Sequence, residues 1–303
     1  MSKDRIENLP FTTYDLVGYL TPGSLVVLGI FWHPWVPGQQ LLAPFISNGS
    51  ILIQIIGFFS VFVAAYVAGH LVSYLSSEIS EKFIVRTMGY PIRFMLRQRH
   101  KNVIEDKREC WQQIKKTSAK NLFPKNISFR YGNWFTHLIF LFHVFLSPAI
   151  VASKFLLGFG FYTEPLAKGI VTQCERRFKA NWPHLKKSYD PSSEEWFHLV
   201  EHYTINQYPE VAPKAYNYVV LYGLLRSLFF LATLFTWFVA IQCFVDVGLT
   251  TLTGKFQGTL PLLSAVVLIS WILGMAYCKF YRRYSREIIS RFAATYCDQK
   301  NNT

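Results

Sequence analysis

The chain has 303 residues, 51% of them apolar and 17% aromatic, and carries a formal net charge of +13. On a soluble chain that charge would point to nucleic acid, but here apolar and basic blocks alternate, the pattern of a membrane protein holding its Lys and Arg on one side. Five scattered cysteines (Cys110, Cys174, Cys243, Cys278, Cys297) without a C-x-x-C argue against a disulfide framework or a zinc ribbon and fit a reducing compartment.

In chain order, the first fifteen residues hold acids and no short apolar core with a cleavage site, so no removable signal peptide is expected. Thr12 with Asp15 three residues on reads as a helix cap and its reciprocal acid. A first span is predicted over residues 16–36, kinked at Pro22-Gly23, with Trp32, His33 and Trp35 at its far end. The loop 34–49 carries no Lys or Arg. A second span, 50–75, is uncharged apart from His70 and should continue as helix over 76–88 until Gly89-Tyr90-Pro91 ends it.

Residues 76–133 hold thirteen Lys/Arg against five acids, which places them in the cytoplasm. The apolar stretch 134–162 is interrupted by Pro148 and Lys154 and has basic flanks on both sides. A single crossing would put one basic flank outside, so a helical hairpin turning near Ser147-Pro148 is expected. It either dips into the inner leaflet or forms the core of the cytoplasmic domain. Residues 163–215 look soluble and helical, with a capping box at Ser192 and Glu195 opening a helix that should reach Gln207, before Pro209.

The third span, 216–245, has Arg226 as its only charge before Asp246. Eighteen or more apolar residues suffice to cross a hydrocarbon core of about 30 Å. An ionisable group inside such a span costs about 3 kcal/mol on insertion scales and normally faces a partner or the bundle interior. The fourth span, 260–277, passes into a basic helix through Arg291. The expectation is therefore an all-α integral membrane protein of four transmembrane helices, with a helical cytoplasmic domain inserted between spans 2 and 3. Its parts are 1–75, 76–215, 216–278 and a basic cytoplasmic tail, 279–303, and both termini lie inside.

Three groups could carry chemistry. His198-Leu199-Val200-Glu201-His202 is an H-x-x-E-H, the spacing at which two His one turn apart hold zinc in inverted zinc peptidases while the Glu acts as base. Trp196, Leu199, Val200 and Tyr203 define the apolar face of that helix, so both His and Glu201 project from the other. The only third ligands on offer are Glu210 and Glu287, so a solvated face is the plainer reading and a membrane-bound zinc hydrolase the alternative. Asp15, His70 and Arg226 should lie at similar depth near the inner ends of their spans and could pair, line a path or gate it. Arg93, Arg97, Arg99 and Lys101 open a basic run suited to anionic lipid headgroups, consistent with a lipid-binding scaffold. Aromatic residues are too sparse there to stack single-stranded nucleic acid. There is no Gly-rich phosphate loop or serine elbow, and no cofactor is expected.

Tyr14-Asp15-Leu16-Val17-Gly18-Tyr19-Leu20-Thr21-Pro22-Gly23, with Gly69-His70-Leu71 and Gly89-Tyr90-Pro91, resembles a set of uncharacterised bacterial multi-span membrane proteins. These open with Y-D-L-x-G-Y-x-x-P-G and keep a G-H near the end of span two. The resemblance covers roughly the first 90 residues and implies a bacterial inner membrane and no settled activity; some such proteins are suspected effectors in phage-defence loci. The leading expectation is a non-enzymatic protein whose cytoplasmic domain receives a signal or a protein partner and acts on the membrane, as an oligomeric pore or disrupting effector. Membrane lipids and further copies of the chain are its expected partners.

Overall fold

The computed structural model describes residues 15–32, 50–81, 84, 90–96, 112, 162, 164–184, 195–249 and 256–301. All regular structure among them is helical: a π turn Asp15–Leu20, α1 (Thr21–Trp32), α2 (Ile51–Ser76), a second π turn Ser77–Glu81, α3 (Pro91–Met95), α4 (Lys168–Asn181), α5 (Glu195–Gln207), a 3-10 turn Pro209–Val211, α6 (Ala212–Leu249) and α7 (Phe256–Asn301). The chain divides into two compact units, residues 1–80 with 223–273 and residues 81–222 with 274–303.

In the first unit the packing of α2 is compatible with a membrane setting. Gly57, Ala65, Gly69, Val72, Ser73 and Ser76 are buried, while Leu52, Phe58, Phe59, Val63, Val67 and Leu71 are exposed. Small and polar side chains inside with large apolar ones outside is the arrangement that hydrocarbon stabilises, because lipid solvates the large side chains and backbones gain by close approach. In water the same surface would be one large apolar patch. Three helices are long and apolar enough to cross a membrane, Ile51–Glu81, Pro209–Cys243 and Pro261–Ala294, while the apolar helix Asp15–Phe31 is shorter. Of the four expected spans, three correspond to helices of spanning length among the described residues, and the helix at the position of the first falls short of that length.

The first two helices meet backbone to backbone. A Cβ on Gly23 would lie 1.7 Å from the Ala65 carbonyl oxygen and 2.6 Å from the Gly69 nitrogen, and a Cβ on Gly69 would lie 1.9 Å from the Tyr19 carbonyl oxygen. Where a proline kink is expected, the chain forms the π turn Asp15–Leu20 just ahead of Pro22. Proline lacks an N–H and its ring crowds the carbonyl four residues back, so widening the preceding turn relieves the clash. The Thr21 hydroxyl donates to the Leu16 carbonyl at 3.4 Å, supplying one of the bonds the backbone lacks there.

The second unit is a conventional apolar core of Met95, Cys174, Phe178, Val200, Ile288, Ile289 and Phe292, each almost wholly buried. Among the described residues helix α5 runs from Glu195 to Gln207, ending just before Pro209 as expected, while the cap position Ser192 lies outside the described residues. Its buried side is Trp196, Phe197, Val200 and Thr204. The stretch expected as a tail contributes Ile288, Ile289 and Phe292 to this core, its apolar positions recurring at the helical period. The hairpin expected over 134–162 lies outside the described residues except for Tyr162, which is fully buried with its phenol pushed well up by loss of solvent and its ring 5.9 Å from that of Phe94.

Burial also pushes the Cys174 thiol up from 9.0 to about 12. The thiol titrates more readily in the unfolded chain, so its contribution to stability is intact below about pH 9 and is lost as pH rises towards about 12, at about 1.4 kcal/mol per pH unit. Alkaline unfolding of the second unit should therefore steepen above about pH 9, and Cys174→Ala should flatten that limb in a pH series of denaturant midpoints. An unchanged slope would remove Cys174 from the alkaline transition.

Candidate functional site

Of the three residues expected to share a depth, the structure gives Arg226 the most enclosed place, 8% exposed. Helix α2 presents serines to it at one-turn spacing. Arg226 Nε donates to the Ser76 hydroxyl at 3.2 Å, and Nη2 reaches the Ser73 hydroxyl at 3.4 Å and its carbonyl at 3.5 Å. Ser76 donates in turn to the Ser73 carbonyl at 2.9 Å and lies 3.3 Å from the Ser227 hydroxyl. A guanidinium carries five donors and no acceptor, so clustered hydroxyls and a carbonyl suit it well. Deeper in the same unit, Thr233 and Ser270 join α6 and α7 through hydroxyls 3.0 Å apart.

His70 is exposed and stacks on Tyr19, with ring centroids 3.9 Å apart and planes 22° from parallel, while Tyr66 meets it edge-on at 4.5 Å. Asp15 opens the π turn and is half-buried. Gly23 packs against Ala65 and Gly69, and Tyr19 lies on Gly69 and His70. Of the basic run, Arg93 is half-buried in the last turn of α3; Arg97, Arg99 and Lys101 lie outside the described residues.

The H-x-x-E-H lies on α5 as its spacing requires. His198 Nδ1 is 3.2 Å from Glu201 Oε2, the histidine side chain 56% exposed and the glutamate 17%. His202 is exposed. Both acids considered as a third zinc ligand are engaged elsewhere, Glu210 with Arg291 and Glu287 with Lys214 at 2.7 Å. Among the described residues no group of three metal-ligating side chains converges. Glu201 and His198 instead line a cavity of about 160 Å³ within the second unit, together with Glu81, Tyr90, Tyr222, Tyr281 and Tyr284 among others.

Sequence reasoning missed the serines at 73, 76 and 227 and the tyrosines of this cavity. Each left a signal. Ser73, Ser76 and Ser80 recur on one face of an otherwise apolar span, and Tyr277, Tyr281 and Tyr284 recur at i, i+4 and i+7 along α7. Comparisons of the chain with protein-family models, with curated proteins and with solved structures each return no match.

Proposed function

We propose that this is a non-enzymatic, four-span protein of a bacterial inner membrane, with both termini and the basic middle domain in the cytoplasm. That domain receives a signal or protein partner, and the membrane bundle responds by opening a path through an oligomer or by disrupting the bilayer. Its resemblance to uncharacterised bacterial multi-span proteins, some of them suspected in phage defence, suggests the setting, and contact of Arg93, Arg97, Arg99 and Lys101 with anionic lipid would hold the domain at the surface. The observation that carries the reading is Arg226, an enclosed guanidinium held by serine hydroxyls in a unit whose outer surface is large apolar side chains. An ionisable group at membrane depth is by default a functional-site hypothesis.

The test is ion flux and dye release from liposomes holding the purified protein, across the pH range in which imidazole changes charge and under an imposed potential. Hydrogen bonds to a charged group are worth about 1.5–3 kcal/mol, so Arg226→Ala should change flux by about tenfold or more, since each 1.4 kcal/mol is a factor of ten. Liposomes that stay tight under every trigger would count against the proposal.

A further inference from the structure

We propose that the cavity of the second unit binds an alkylammonium group, held by the rings of Tyr222, Tyr281 and Tyr284 and the carboxylates of Glu81 and Glu201. This deepens the function proposed above and rests on it for the idea that this unit receives a signal. The first argument is charge. Lys and Arg outnumber acids 31 to 18 in the chain, yet the cavity lining contains two glutamates and no lysine or arginine. One of the two glutamates, Glu201, faces His198 at 3.2 Å, and two carboxylates in one lining favour a cation over an anion or a hydrocarbon.

The second argument is the shape of the wall. Tyr222 lies 5.3 Å from Tyr281 with planes at 39° and 6.1 Å from Tyr284 at 48°. Phe197 meets Tyr284 at 84° and 6.1 Å. Rings set at these angles do not stack flat on one another, and a cation within about 6 Å of a ring centroid is attracted to its π face. Glu201 adds a carboxylate only 17% exposed, so its field is little screened by water.

The third argument is size. At about 30 Å³ per water-sized centre, a cavity of about 160 Å³ holds a group of about five heavy atoms. That fits a quaternary ammonium or a short primary alkylammonium. The same chemistry is carried by a free small amine and by the headgroup of an amino phospholipid, and the two sources are separable by experiment.

Purified full-length protein in detergent is titrated calorimetrically with tetramethylammonium, ethylammonium, choline and the uncharged carbon isostere of choline. In a second arm the micelles carry phosphatidylethanolamine or, as the control, phosphatidylglycerol alone. The expected result is saturable binding of the cations at least about tenfold tighter than of the isostere. Glu201→Gln and Tyr222→Leu should each weaken it about tenfold, the usual scale of one lost charge or one lost ring, while Tyr222→Phe, which keeps the π face, binds as the unaltered chain does. Tyr222→Phe, expected to bind normally, guards against reading misfolding at that position as lost affinity, and an unchanged melting temperature does so for Glu201→Gln. Binding of the free cations identifies a soluble amine as the source. Saturation by phosphatidylethanolamine micelles that removes the calorimetric signal identifies the headgroup. Equal affinity for cation and isostere, or no saturable binding in either arm, overturns the proposal. No membrane barrier is involved, so its failure is distinct from a failure of the flux experiment.

Discussion

Gly69→Leu should pull the first two helices apart at their crossing and lower the stability of the first unit by about 3 kcal/mol or more, the upper range for forcing side-chain volume into a packed interior. The atoms in the way are backbone. A first carbon at position 69 would sit 1.9 Å from the Tyr19 carbonyl oxygen, and one at position 23 would sit 1.7 Å from that of Ala65, so no rotamer change nearby makes room. Gly23→Ala should therefore already be damaging. Gly29→Ala, in the same helix with nothing within 4 Å of the added carbon, should be neutral or stabilise by up to about 1 kcal/mol, because alanine is the better helix former. Thermal unfolding in detergent, with protease susceptibility of residues 33–49 as a second readout, checks the series. Equal melting of Gly69→Leu and Gly29→Ala would mean that the crossing contributes nothing.

Arg177→Leu should have a comparable effect in the other unit, about 2–4 kcal/mol. This arginine is 3% exposed and donates from Nη1 to the Phe292 carbonyl at 2.7 Å and from Nη2 to the Tyr208 hydroxyl at 2.9 Å. Its guanidinium also lies within 5.1–5.8 Å of the ring centroids of Phe292, Tyr203 and Tyr208. Leucine fills part of the volume but leaves a buried carbonyl without that donor, at about 1–3 kcal/mol, and forfeits the cation–ring attraction, at about 0.5–2 kcal/mol. Arg177→Lys keeps the charge and loses the planar two-pronged donor, so it should fall between. Its neighbour supplies the control, because Arg176→Leu is expected to change stability by under about 0.5 kcal/mol, as surface substitutions do. Denaturant midpoints for the three variants decide it; an unaltered midpoint for Arg177→Leu would show that the aromatic surround holds without the cation.

Much of this was legible before any coordinates. The long apolar runs in α2, α6 and α7, the end of α5 at Pro209 and the disturbance at Pro22 follow from length, capping chemistry and the missing proline N–H. The inward face of α2 was not legible by periodicity, because apolar residues surround that helix on every side. Only its small residues, Ala65, Gly69, Ser73 and Ser76, mark which side is inside. Arg177 could not be told from Arg176 by type, and its burial follows from the positions of Cys174 and Phe178 around it on α4. The H-x-x-E-H drew attention to the right helix, but spacing along one helix says nothing about what other helices bring to face it. Here those neighbours are tyrosines of α6 and α7.

The π turn at Asp15–Leu20 has a mechanical meaning. It stores one more residue than an ordinary helical turn, and the proline that calls for it lies two residues beyond its end. Taking up that spare residue would rotate Asp15 by about 100° about the helix axis relative to Gly23, the angle between successive residues of an α-helix. The turn itself can thus twist while Gly23 keeps its grip on the second helix.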